Sequence, residues 1–255
     1  MTGASIEFGP VLVVVLVVLT LLGSVVVWLG GIGSGRAVGV AAVRAVVQLS
    51  VVSLVITAIL KSGWLTAGFI ALMFVVASFT SARRIGVPRQ VPWIAAAIAT
   101  GVAPVLALVL ASGVVPAEPI AVVPIAGILI GGVMSATSQA CRRALEELKT
   151  RHGEFEAALA LGFVRRAAAL EIARPSAGHA LIPALDQTRT VGLVTLPGAY
   201  VGVLLGGTGP VQAGITQVLV LIGLLAAEAI SVLVSVQLVA AGLVSREVLE
   251  GARCR

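Results

Sequence analysis

Apolar residues fall into seven runs with polar residues gathered between them: Val11 to Leu29, Val38 to Leu60, Trp64 to Thr80, Val91 to Ala111, Ile120 to Met134, Val191 to Leu205 and Ala213 to Leu243. About 20 residues at a helical rise cross a hydrocarbon core, so the first four runs predict membrane-spanning helices. The fifth and sixth have 15 residues each as bounded, and the seventh, with 31, is long enough to tilt or to project beyond the bilayer. Seven spans are therefore expected, in an all-α integral membrane protein read as a single transmembrane domain over residues 1–255.

Loop charge sets the orientation, because Lys and Arg gather on the cytoplasmic side. Arg36 and Arg44 follow the first run; Arg83, Arg84 and Arg89 follow the third. Eight basic residues separate the fifth and sixth runs, and Arg246, Arg253 and Arg255 end the chain. Of the 17 basic residues only Lys61 falls on the other side if the N-terminus is outside and the C-terminus cytoplasmic. An even number of spans would break this alternation.

Composition agrees. The chain is 59% hydrophobic and 11% charged, against about 25% charged in soluble domains. Its net charge of +6 is spent on topology, which leaves no basic surface to offer nucleic acid. Cys141 and Cys254 fall in segments placed in the reducing cytosol and have no metal-ligand spacing. Glu7, with no Lys or Arg before the first run, argues for a retained span and against a cleaved signal peptide.

The long charged segment, about residues 136–189, carries the clearest pattern. Arg143, Glu147 and Arg151 are spaced for i,i+4 pairs on a water-exposed helix. Glu156-Ala157-Ala158 and Gly162 follow, then Ile172 and Pro175. The small residues allow close approach by another backbone, and Gly162 lets the chain bend before a second helix runs to Pro175. This spacing resembles the cytoplasmic coupling motif of ABC-transporter permeases, E-A-A-x-x-x-G followed by I-x-L-P, with Arg174 where that motif has Leu. The bland alternative is an amphipathic helix pair lying on the membrane.

Other residues carry weaker signals. Arg44 and Gln48 share a helix face near the cytoplasmic end of the second run. Pro104 predicts a kink and Pro119 a helix start. Gly127, Gly131 and Ser135, and again Gly198, Gly202 and Gly206, recur at the four-residue spacing that lets membrane helices pack backbone to backbone. Leu196-Pro197-Gly198 interrupts an already short run, as in transporter segments that expose backbone to a solute. Glu228 sits midway along the seventh run, where a carboxylate is costly and faces a cavity or a partner group. Asp186 and Arg189 are expected to form a local pair at the membrane interface.

No G-x-x-x-x-G-K-[ST] occurs, and the only lysines are Lys61 and Lys149, so the chain cannot bind ATP by a P-loop. Two histidines, His152 and His179, with no H-E-x-x-H, supply no enzyme constellation. The residues that could line a solute path are thus Arg44, Gln48, Leu196, Pro197, Gly198, Gly202 and Glu228; a metal site is not identifiable.

Four stretches together resemble the FetB-type export permeases: Arg44 to Leu49 (R-A-V-V-Q-L), Gly131 to Ala136 (G-G-V-M-S-A), the Glu156 to Gly162 elbow, and Val191 to Gly198 (V-G-L-V-T-L-P-G) with Gly206-Gly207. That family includes bacterial iron-export permeases and plant aluminium-tolerance half-transporters, and the likeness covers about residues 38–243. It implies a permease of the inner (plasma) membrane, paired as two copies with a separate cytosolic ATPase that uses the ATP, moving substrate outward. The chain itself binds no cofactor on this reading. Where the family is rich in Met, Thr and Gln after L-P-G, this chain has Ala199, Tyr200, Val201 and Val203, and Gly132 and Ser135 stand where the family has Asn. Soft and amide ligands are missing there, which weakens iron as the implied cargo; relatives that handle a nucleotide sugar leave a second substrate class open. A membrane anchor that recruits a cytosolic protein, and an ion-driven carrier working through Glu228, are the rival readings.

Overall fold

The computed structural model describes residues 9–60 and 62–246. Every regular element among them is helical: α1 (Pro10–Leu29), α2 (Gly35–Ile59), α3 (Gly63–Ile85), α4 (Val91–Ala111), α5 (Pro119–Thr150), α6 (His152–Ala160), α7 (Arg165–Gly178), α8 (Ile182–Thr190), α9 (Gly198–Leu205) and α10 (Pro210–Ala240). Short 3-10 turns at Pro88–Gln90 and His179–Leu181 join α3 to α4 and α7 to α8. Proline stands in the first turn of α1, α4, α5 and α10, where its missing N–H costs no helical bond. Pro119 therefore starts α5 as expected, while α4 continues through Pro104 as one helix.

The chain divides into two compact units, Met1–Leu65 and Thr66–Arg255. In the first, α1 and α2 pack side by side. A Cβ at Gly35 would lie 2.6 Å from Ser24 O, so only glycine admits that crossing. No described residue of α1 is buried, and most of its valines and leucines are exposed, as suits a helix in lipid.

In the second unit α4, α5 and α10 form the centre. Ile94 and Ile98 of α4, Leu129 and Val133 of α5, and Leu224 and Ala227 of α10 meet there, nearly or wholly out of solvent. Close approach rests on Gly101, whose added Cβ would fall 2.5 Å from Ala227 O, and on Gly132, where it would fall 2.4 Å from Leu224 Cδ1. Hydroxyl pairs bridge the helices where carbon does not: Thr137 to Ser231 at 2.6 Å and Ser81 to Ser138 at 2.9 Å. The small-residue stripes singled out in the sequence do otherwise. Gly131, Gly198 and Gly202 have open space where a Cβ would stand, and the α5 position that presses against α10 is Gly132, one residue off the expected stripe.

Among the described residues six helices are long and apolar enough to cross a membrane: α1, Gly35–Thr57 of α2, α3, Pro88–Ala111, α5 and α10. The expectation corrected is that of a spanning helix at the sixth run. From Val191 to Leu205 there is a tight turn closed by the Val191–Thr195 bridge, with Gly192 at φ +81°, and then α9, a helix of only 8 residues. The fifth run, conversely, is the first part of a single 32-residue helix that carries the chain through Arg142, Arg143 and Glu147 to Thr150.

Candidate functional site: the elbow and the return limb

The elbow forms where the E-A-A pattern predicts it. Helix α6 ends at Ala160, and the chain reverses by a glycine cap: Gly162 at φ +91° donates to Leu159 O at 3.0 Å, and Phe163 N–H donates to Ala158 O at 3.1 Å. Those two bonds satisfy carbonyls that the helix end would otherwise leave orphaned, and they require a left-handed residue at position 162. Glu156, Ala157 and Gly162 are exposed and Ala158 is half-buried. At the tip, Leu161, Phe163 and Val164 are 80%, 54% and 70% exposed, an apolar knuckle on a polar segment.

Ile172 faces the other way. With Ala168, Ala169 and Ala173 it is buried on α7, which packs against α5 and α10. Pro175 does not end the helix as expected; α7 runs on to Gly178. The two halves of the motif therefore do different work, the E-A-A half presenting a surface and the Ile half anchoring it to the long helices. Between them lies a cavity of about 130 Å3, walled by Phe155, Glu156 and Arg165 of the elbow, Leu145 and Leu148 of α5, and the last turn of α10. The Arg165 guanidinium stands 5.6 Å from the centre of the Phe155 ring.

Charge orders the joint between α5 and α6. Arg151 reaches Glu147 at 3.7 Å, the expected i,i+4 contact, and the turn before it is bridged by Arg142 and Glu146 at 3.9 Å. Arg151 also forks onto Glu154, its Nε donating to Oε1 at 2.8 Å and a terminal nitrogen to Oε2. Those hydrogen bonds hold the Glu154 carboxyl below the ordinary glutamate range and push the Arg151 guanidinium up. A depressed carboxylate contributes order that is present above its unfolded value, about 4.3, and is lost as pH falls through the lower folded one. A carboxyl-carbon titration by NMR should place the Glu154 midpoint below that of a free glutamate, and Arg151→Gln should return it to the ordinary value. His152 Nε2 lies 3.2 Å from Glu156 Oε1, so the elbow's acid has an imidazole neighbour.

After the elbow the chain travels back along α10. Arg166 donates to Gln237 Oε1 at 2.7 Å, near the C-terminal end of α10; α7, the 179–181 turn, α8 and α9 each then pack on α10; and α9 ends just before Pro210 starts it. From Gln237 to Pro210 is about 40 Å at 1.5 Å per residue, more than the roughly 30 Å of a hydrocarbon core. Residues Arg165–Leu205 thus make the return that the Val191 to Leu205 run was expected to make alone. This limb is broken into three short helices and is polar, with Arg174, His179, Asp186 and Arg189 all exposed on it. Asp186 and Arg189 pair at 3.4 Å, as expected of neighbours on one turn.

The residues expected to line a path are spread over these elements. Leu196 is exposed, Pro197 caps α9, and Gly198 and Gly202 lie exposed on α9 with open space beside them. Glu228 is buried on α10, its Oε1 2.7 Å from where a Cβ on Gly132 would be, and no basic side chain pairs with it among the described residues. Arg44 and Gln48 are exposed on α2 in the first unit. Among the described residues no group of three His, Cys, Asp or Glu is placed to hold a metal ion; Cys254 lies outside the described residues, and Cys141 is buried in α5. Sequence reasoning missed Gln90 and gave Arg246 only a topological meaning. A lone Gln in a loop carries no pattern, and its role depends on a residue 155 positions away.

Regular structure that is all helical among the described residues, with six helices there able to cross a bilayer and a capped elbow outside them, defines a multi-pass membrane protein. The chain belongs to the UPF0014 family, described as an uncharacterised protein family, whose profile matches residues 10–244. It is 35% identical over 164 residues to the UPF0014 membrane protein STAR2 of Oryza sativa subsp. japonica, 64% of this chain and 58% of that one. Likeness to the Arabidopsis thaliana protein ALUMINUM SENSITIVE 3 is 33% over 164 residues, 64% and 60% of the two chains. With the probable iron export permease protein FetB of Escherichia coli (strain K12) it is 32% over 139 residues, 54% of each. The matched stretch thus spans between 54% and 60% of these relatives' lengths. No solved structure matches the chain.

Proposed function

We propose that this chain is the membrane-spanning permease subunit of an ABC exporter of the inner (plasma) membrane, driven by a separate cytosolic ATPase, with two copies of each. The observation that carries the reading is the elbow: a glycine-capped bend with an exposed apolar tip at Leu161, Phe163 and Val164, anchored through Ile172 to α5 and α10. Three adjacent apolar side chains on a polar segment fit a docking surface, since a contiguous apolar patch rimmed by polar residues marks an interaction site. Glu156 and its alanines are the surface a partner grips, and displacement passes to the long helices because α7 is packed against both.

The broken return limb supports a path for cargo. Irregular backbone and charged side chains at membrane depth are tolerated where they line water or protein, and here they run alongside a 31-residue apolar helix. The segment Leu196 to Gly202, with exposed glycines, and Glu228, farther along α10 beside Gly132, are the groups a solute would pass. A second copy facing this limb would enclose it. Metal ion is the proposed cargo class, because the FetB relative is a probable iron export permease and an oxygen ligand at Glu228 suits a hard or borderline cation.

The test is reconstitution. Proteoliposomes holding the permease and its cognate ATPase, loaded with ferrous iron, are expected to lose iron only when ATP is supplied to the ATPase side. Iron movement by the permease alone, or an elbow that labels as lipid-embedded at Leu161, would overturn the reading.

A further inference from the structure

The connection between α3 and α4 is tied to the end of α10 by side chains that none of the roles above uses. Gln90 closes the 3-10 turn before α4 and meets the backbone of Ser245 in both senses. Its Nε2 donates to Ser245 O at 2.9 Å, and its Oε1 accepts from Ser245 N–H at 2.9 Å. The next residue, Arg246, reaches back to donate from Nε to Ile85 O at 3.0 Å, one of the carbonyls left open at the end of α3. Its guanidinium also lies 3.9 Å from Glu146 on α5. The chain leaves α3 through Gly86 at φ +87°, which sets the carbonyl of Ile85 toward this arginine.

The same short stretch borders the elbow. Gly242, Val244 and Ser245 form one wall of the cavity whose opposite wall is Phe155, Glu156 and Arg165. Gly242, at φ +74°, caps α10 as Gly162 caps α6: it donates to Val239 O at 2.9 Å, and Leu243 N–H donates to Leu238 O at 3.0 Å. A stiff cap, gripped on one side by Gln90 and Arg246 and facing the elbow on the other, links three places far apart in sequence.

We infer that Gln90 and Arg246 are positioning residues that carry the elbow's displacement through the α10 cap into the α3–α4 pair, a second transmission route beside the α7 anchor. A matched pair of amide bonds fixes orientation as well as distance, so a rotation of the cap turns α4 with it. The exposed 3.9 Å ion pair contributes little by itself; the two amide bonds and the capped Ile85 carbonyl do the gripping. This inference rests on the proposed permease role.

Its test uses the permease with its cognate ATPase in proteoliposomes, ferrous iron as the probe, and three readings: assembly, ATP hydrolysis, and iron released per ATP. Gln90→Ala is expected to assemble and to stimulate hydrolysis within about twofold of the parent, while iron released per ATP falls at least about fivefold, as losing two hydrogen bonds of coupling implies. Arg246→Ala should do the same, Arg246→Lys should recover most of the ratio, and Gln90→Glu, which keeps the acceptor for Ser245 N–H, should fall between. An unchanged ratio, or hydrolysis and release declining together in every variant, overturns the inference alone. Absence of ATP-driven release in the parent pair overturns the permease role and this inference with it.

Discussion

Gly162→Val is expected to abolish stimulation of the proposed ATPase while the membrane bundle stays folded. The position has φ +91°, a region that a β-branched residue enters only at a cost of roughly 1–3 kcal/mol. Space is not the obstacle, because an added Cβ would meet nothing within 4 Å. Strain alone opposes the cap, and relaxing it breaks the bonds to Leu159 O and Ala158 O that fix the knuckle. A penalty of that size lowers the fraction of correctly bent elbow by roughly 5- to 150-fold, and the apparent affinity for the partner falls by the same factor. Because Gly162 is exposed and distant from the Leu129, Val133 and Ile98 core, detergent-solubilised protein should melt as the parent does. Gly162→Asn is the control, since asparagine tolerates the left-handed region and should keep most of the stimulation. Equal stimulation by the valine variant would show that the bend is not what the partner reads.

Gly101→Leu should have the opposite profile, with the bundle lost before any question of coupling arises. A Cβ there falls 2.5 Å from Ala227 O, 2.9 Å from Ser231 Cβ and 3.3 Å from Val133 Cγ1, so atoms of both α5 and α10 would have to move. The first of these is backbone and cannot swing aside. Overpacking of this kind costs about 1–3 kcal/mol or more, and it would also part the Thr137–Ser231 hydroxyl pair. The expected result is a several-fold drop in monodisperse protein after extraction, with Gly101→Ala already impaired because the offending atom is the Cβ itself. Gly198→Ala, where the same atom would meet open space, should extract like the parent. If Gly101→Leu extracts normally, the three central helices do not pack as closely as described.

The contrast between those glycines shows what could be read from the chain. Long apolar stretches announce α1 to α4 and α10 because lipid imposes a length and a composition on any helix that faces it, and the elbow announces itself because a left-handed cap needs glycine at one position. Which glycines are pressed against a neighbour is a matter of helix rotation. Spacing alone favoured Gly127, Gly131 and Ser135, yet the rotation of α5 turns Gly132 toward Leu224 and Glu228. The sixth run misled for a related reason. A return along α10 shared among α7, α8 and α9 has no continuous apolar signature, so the short Val191 to Leu205 run drew the assignment that belongs to the whole limb from Arg165. Gln90 was invisible because its partner is a peptide group on the far side of the sequence, and no pattern of side chains encodes that.

The broken limb has a consequence for biosynthesis. A stretch carrying Arg174, Asp186 and Arg189 is a poor substrate for release from the translocon into lipid by itself, since a charge near mid-bilayer is penalised by about 2.5–3.5 kcal/mol on the insertion scale. It can settle only against helices already in place, and one of its two supports, α10, has not yet been synthesised when it emerges. Nascent chains halted before Pro210 should therefore leave the α8–α9 part of this limb accessible to cytosolic protease, and those extended past Ala240 should protect it.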